Sequence, residues 1–180
     1  YMFAYFLKGR RLMKENKMQE AVDCFKAAQT LPQNLGAGLW NIVRLVPFKY
    51  YEAVCLKSLG QEDKANENFD FITGIEVDYF SNMNLPELPF YQALCYRETG
   101  MPFKGDMLIN YKLQDWKEDM KTVDAGYFAT TPFFISFCDR AVQQRSAYYS
   151  YLLALAYRYT GDTKLAQKYI EQAAVSDPYA

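Results

Sequence analysis

Two acidic stretches, "QEDKANENFD" (Gln61 to Asp70) and "DWKED" (Asp115 to Asp119), are where the residue types and spacing could support acid–base catalysis. Helix starts favour acids electrostatically and surface helices carry them for solvation, so neither stretch is assigned a catalytic role. Histidine is absent from the chain, which removes the commonest general base and metal ligand. Cys24, Cys55, Cys95 and Cys138 show no C-x-x-C spacing, so no zinc site is expected. They are read instead as buried, reduced thiols of a cytoplasmic protein. No glycine-rich phosphate loop or nucleophile elbow occurs. The expectation is a chain that is not an enzyme and needs no cofactor.

A second set of residues points to non-covalent chemistry. Phe6, Tyr50, Phe90 and Tyr151 stand ten residues before Asn16, Gly60, Gly100 and Gly161. Lys57, Arg97 and Arg158 stand three before the last three of these, with Met13 at the matching place in the first. Seven residues separate the two rows, which is about two helical turns along one face. Aromatic rings beside cations suit an extended peptide with apolar and acidic groups, or a sugar chain.

The elements that must position these residues repeat. Around Gly161 lie Ala154, Tyr157, Ala166 and Ile170, and Pro178 closes the unit. The same spacings give Ala93, Tyr96, Gly105 and Ile109 around Gly100. They give Ala53, Leu56, Ala65 and Phe69 around Gly60, and Gly9, Leu12, Ala21 and Phe25 around Asn16. Two helices cross closely only where side chains are small, so Ala53, Ala65, Ala93, Ala154 and Ala166 are expected at helix–helix contacts, with the large residues filling the flanks. A left-handed residue at the anchor ends the first helix, Asp162 caps the second of its pair, and Pro102 suits a helix start. A lone helical pair cannot bury its apolar face, so the copies must stack.

This pattern resembles the tetratricopeptide repeat. The fourth copy matches best, through Leu153-Ala154, Tyr157, Ala166, Ile170, Ala173 and Pro178, although Ser150 stands where the signature has tryptophan. The first copy carries Gly9, Leu12, Ala21, Phe25 and Ala28, and the third is weak in its second half. The anchors lie 44, 40 and 61 residues apart, against about 34 in the usual repeat, so insertions separate the copies. "QNLGAG", the paired linkers "DYFSNMNLP" and "GYFATTP", and the closing repeat also resemble the repeat region of large bacterial multidomain proteins with a suspected carbohydrate-related role.

The resemblance implies an all-α fold, an alpha-alpha superhelix of about four hairpins with long inter-repeat insertions. It implies one domain over 1–180, with repeat units near 2–30, 48–77, 88–121 and 145–176. The first helix of each copy should face a concave groove lined by Phe6, Tyr50, Lys57, Phe90, Arg97, Tyr151 and Arg158. The function implied is a scaffold for a protein or peptide partner, or for another domain of the same chain. The alternative is a carbohydrate-associated module of a bacterial enzyme whose groove touches glycan. Repeats that capture chaperone C-terminal carboxylates carry asparagine four residues after a lysine. Here Leu12 follows Lys8, so that partner is not expected.

Composition sets the remaining bounds. The 180 residues are 51% hydrophobic with a net charge of -1, which argues against disorder and against bulk attraction to nucleic acid. No apolar run reaches the ~20 residues of a membrane span. "YMFAYFL" precedes Lys8, Arg10 and Arg11, the reverse of a signal peptide's order, and a start at Tyr1 reads as a fragment of a longer chain. Helices are expected near 2–15, 17–30, 48–59, 61–77, 88–99, 102–121, 145–160 and 162–176, with short ones near 38–45 and 133–142. "VDAGYFATTPFFISF" is expected to fold its phenylalanines against neighbouring helices.

Overall fold

The computed structural model describes residues 1–30, 42–78, 81, 85–121 and 141–176. Every described helix overlaps a stretch expected to be helical, two of them starting earlier than expected, at 46 and 141 in place of 48 and 145. They are α1 (Met2–Lys14), α2 (Met18–Ala28), α3 (Val46–Ser58), α4 (Glu62–Thr73), α5 (Leu88–Glu98), α6 (Pro102–Lys121), α7 (Ala141–Thr160) and α8 (Thr163–Ser176). A 3-10 turn, Ile42–Leu45, leads into α3. The expectations for 38–41, 123–137 and 133–140, and for Cys138 and Pro178, fall outside the described residues. The chain separates into two compact units, 1–105 and 106–180.

The four anchors explain the connections. Among the described residues, Asn16 is the single non-glycine with positive φ, at 60°, and Gly60, Gly100 and Gly161 have φ of 73°, 76° and 86°. Three of the turns share one closing bond. Lys17 N–H donates to the Leu12 carbonyl at 2.9 Å, Gln61 N–H to Leu56 at 2.9 Å, and Met101 N–H to Tyr96 at 2.7 Å. This six-to-one bond uses carbonyls that the end of the first helix leaves open. The left-handed residue lets the chain reverse without breaking it.

Asp162 caps α8 as expected, its Oδ1 accepting from Leu165 N–H at 3.0 Å. The corresponding Lys17 and Gln61 make no side-chain cap. Asp162→Ala should therefore cost about 1 kcal/mol, read as a lower urea midpoint with an unchanged m-value. A midpoint equal to wild type would show that the cap contributes nothing.

In the first unit α1 pairs with α2 and α3 with α4. Helix α3 packs against α1 and α2, and α5 against α3 and α4. Leu12, Val22, Phe25, Val46, Leu56, Phe69, Ile72 and Leu88 form the core between them. Gly9 is the tightest crossing: a Cβ built on it would lie 2.7 Å from the Phe25 ring. Ala53, Ala65 and Ala93 are buried as expected.

In the second unit α7 packs against α8, and the Tyr157 and Tyr169 rings stack across them with centroids 5.5 Å apart. Ala154 is buried. Ala166 is only half-buried, and Ile170 is 40% exposed. The corresponding Phe25, Phe69 and Ile109 are fully buried. The burial expected of Ala166 is therefore corrected. Residues at these places are covered from two sides, by their own hairpin and by the helix that follows, as α3 follows α2. No described helix follows α8.

Candidate functional site

The first helices of the first unit, α1, α3 and α5, carry one connected set of rings. Phe6 meets Tyr51 at 5.5 Å between centroids, Tyr51 meets Tyr50 at 5.2 Å, Tyr50 meets Tyr91 at 5.7 Å, and Tyr91 meets Phe90 at 5.6 Å. Three of the four expected aromatic positions are thus in one chain of contacts across three hairpins. Tyr50 is its most buried member, at 8% exposure, and burial pushes its hydroxyl far above the usual phenol range. Phe6, Tyr51, Phe90 and Tyr91 are half-buried and present partial ring surface.

Tyr51 and Tyr91 are the residues that sequence spacing missed. They follow Tyr50 and Phe90 directly, nine before Gly60 and Gly100. A step of one residue turns about 100° around a helix, so an aromatic doublet widens the ringed face. The "YY" and "FY" doublets are the signal that could have found them.

Of the expected cations, Lys57 is taken up locally. Its Nζ donates to Glu98 Oε2 at 2.9 Å and to the Glu98 carbonyl at 2.7 Å, which ties α3 to α5. Arg97 is exposed at the end of α5. Tyr151, at 37% exposure, and Arg158 lie on α7 in the second unit and are exposed there. The Arg10 guanidinium lies 4.3 Å from the Tyr51 ring centroid and 5.9 Å from that of Phe6, adding a cation that the three-before-turn spacing does not include.

A second pair of residues escaped the sequence reading. Glu52 and Gln92 stand eight before Gly60 and Gly100 and are buried at 7% and 4% exposure. Each reaches the end of the preceding hairpin. Gln29 Nε2, at the end of α2, donates to Glu52 Oε2 at 2.5 Å and to the Phe25 carbonyl at 3.2 Å. Gln92 Nε2 donates to the Ile72 and Ile75 carbonyls at the end of α4, at 3.1 Å and 2.6 Å. Leu153 fills the same place in the fourth copy. With Lys8 in the first copy, three of the four residues at this place are polar, and a polar residue recurring directly before the small residue of the helix crossing was the available signal.

Glu62, Asp63, Glu67 and Asp70 are all exposed along α4, and Asp115 pairs with Lys112 on α6 at 3.2 Å. Cys55 and Cys95 are fully buried. Burial, with Glu52 nearby, pushes the Cys55 thiol from its ordinary 9.0 to about 11, and burial followed by Glu98 pushes Cys95 up as well. A folded value above the unfolded one means that the contribution to stability is complete below about pH 9 and is lost as pH rises through about 11. The slope is at most ~1.4 kcal/mol per pH unit per thiol. Urea midpoints should fall over that interval, and Cys55→Ala should flatten the fall. A slope indifferent to Cys55→Ala would assign the alkaline loss to other groups.

A tetratricopeptide-repeat model matches residues 4–35 and 147–178. No curated protein and no solved structure matches the chain. The matched segments begin within α1 and α7 and span the first and fourth hairpins, and the second and third copies between them have the same small residues and left-handed turns. Residues 4–35 and 147–178 are thus similar to tetratricopeptide repeats, and the described helices have the all-α helical-repeat arrangement that such repeats build.

Proposed function

We propose that the chain is a non-catalytic scaffold that binds a protein partner, or another domain of its own chain, across the first helices of its hairpins. Repeats of this family generally mediate protein–protein interaction. The observation that carries the reading is the run of rings from Phe6 through Tyr51, Tyr50 and Tyr91 to Phe90. Half-buried rings held by their neighbours lose little entropy on binding, which makes them efficient contact surface for an extended chain. Arg97 on α5 completes the proposed set of the first unit, and Tyr151 and Arg158 on α7 are proposed as contacts of the second unit by itself.

The experiment is selection of a displayed peptide library on the immobilised protein. Enriched peptides are then titrated against wild type, Phe90→Ala and the double variant Arg97→Ala/Arg158→Ala, alongside melting curves. Exposed charges usually change folding by less than about 0.5 kcal/mol, so binding and stability separate. Weaker peptide binding by equally stable variants is expected. Equal binding by all three proteins would remove these residues from the site. Saturable binding of oligosaccharides in place of peptides would favour the glycan-associated module.

A further inference from the structure

We infer that the peptide partner presents an acidic side chain to Arg10, next to an apolar residue that lies on Phe3, Phe6 and Leu7. This rests on the reading of the first helices as a binding face and names the chemistry of what that face selects.

The first argument is the separation of charge. The net charge of -1 conceals an uneven distribution in the first unit. Helices α1, α3 and α5 carry Lys8, Arg10, Arg11, Lys14, Lys49, Lys57 and Arg97 against only Glu52 and Glu98. Helices α2 and α4 carry Lys26 and Lys64 against Glu20, Asp23, Glu62, Asp63, Glu67 and Asp70. Helix α1 has four cations and no acid. The helices that carry the aromatic run are therefore the basic ones, and a partner of opposite sign is drawn to them. Lys49 turns to Asn68 and Phe71 of α4, and Arg10 is the cation that lies on the rings of the run.

The second argument is the state of Arg10. Arg11 is tied to Glu15 at 2.9 Å and Lys57 to Glu98. Arg10 is instead held over Tyr51 and Phe6, half-buried, with no acceptor for its N–H groups among the described residues. A guanidinium held in place by rings, with its donors unused, is preorganised to take a carboxylate through two parallel hydrogen bonds. Lysine has no planar fork and cannot replace it there.

The third argument is what adjoins Arg10. Phe6 stands one turn before it, and Phe3 one turn before Phe6. The Phe3 and Phe6 centroids are 6.2 Å apart, and Phe6 meets Phe48 of α3 at 5.3 Å. Phe3 and Leu7 are 67% and 52% exposed. An apolar surface leading to a preorganised cation fits an apolar residue close to an aspartate or glutamate.

The test uses two fluorescent, acetylated and amidated octapeptides, one alternating leucine with glutamate and one alternating leucine with glutamine, read by anisotropy at low and high salt. Wild type should bind the glutamate peptide roughly tenfold more tightly than the glutamine peptide, with the difference shrinking in salt. Arg10→Lys, which keeps the charge, and Arg10→Gln should both lose that preference while remaining folded at the temperature of the titration, with at most a small drop in melting temperature from the lost contacts with Tyr51 and Phe6. Phe90→Ala should weaken both peptides by the same factor. Equal binding of the two peptides by wild type, or a preference kept by Arg10→Lys, overturns the assignment of Arg10. If Phe90→Ala still weakens both, the binding face itself stands. Failure of the glutamate peptide to bind overturns the assignment of Arg10, while the binding face itself stands or falls with the peptides selected from the library. Tighter binding of a random single-stranded oligonucleotide than of the glutamate peptide overturns the acidic partner.

Discussion

Gly9→Ala should destabilise the protein by about 1–3 kcal/mol through overpacking, even though alanine is intrinsically the better helix former by roughly 0.5–1 kcal/mol. Gly9 lies mid-helix in α1, and the new methyl would meet three atoms of the Phe25 ring at 2.7, 2.8 and 3.0 Å. Phe25 cannot swing away. It is fully buried and lies against Phe6 and Tyr51, with centroids 6.0 and 5.9 Å away. Helix α1 must therefore move off α2, which also disturbs the end of the aromatic run. Two comparisons isolate the cause. Gly60→Ala should cost about 1–2 kcal/mol for a different reason, since φ is 73° and nothing lies within 4 Å, leaving left-handed strain alone. Phe25→Leu should relieve part of the Gly9→Ala penalty, giving a coupling of at least about 0.5 kcal/mol in a double-mutant cycle. Urea unfolding at constant m-value measures all of these. A Gly9→Ala midpoint at the wild-type position would show that the crossing is looser than its geometry implies.

Gln92→Glu should be more damaging still, at about 3–5 kcal/mol near neutral pH, because it places an uncompensated charge in a buried site. The Gln92 amide donates to two carbonyls of the preceding hairpin, Ile72 and Ile75. A carboxylate there offers only acceptors to acceptors. Gln92→Leu should fall between, at about 1–3 kcal/mol, the cost of leaving carbonyls without a donor. The order wild type, leucine, glutamate is the signature, and it separates hydrogen-bond loss from volume change. Acidification supplies a sign check. A buried glutamate held near carbonyls has its folded pKa raised, so protonation is favoured in the folded state and the deficit of Gln92→Glu should narrow as pH falls. A deficit constant with pH, or a leucine variant as stable as wild type, would mean that the amide is not a clasp between hairpins.

Much of this architecture is legible in the sequence because its determinants are local. The left-handed turns at Asn16, Gly60, Gly100 and Gly161 need a residue that tolerates positive φ, and glycine or asparagine announces that without reference to the rest of the chain. The small residues at Gly9, Ala53, Ala65, Ala93 and Ala154 sit at fixed distances from those turns because helical geometry makes distance along the chain equal to position on a face. Helix type, hairpin pairing and the register of the aromatic row follow from these two facts.

Tertiary structure decided what depends on neighbours distant in sequence. Tyr50 and Phe90 hold equivalent places, yet Tyr50 is enclosed by Tyr51, Phe69 and Tyr91 while Phe90 keeps open surface, because enclosure depends on which hairpins flank a ring. Lys57 has the register of Arg97 and Arg158, but Glu98 of the next hairpin pairs with it. Ala166 and Ile170 have the spacing of Ala65 and Phe69 and remain more exposed, because burial at those positions requires a further helix to lie across them. In the sequence Arg10 is one of three cations that follow "YMFAYFL", and its position over Tyr51 and Phe6 arises only where α1 meets α3. Spacing relative to a turn specifies the direction in which a side chain points, and the packing of separate hairpins determines what it meets there.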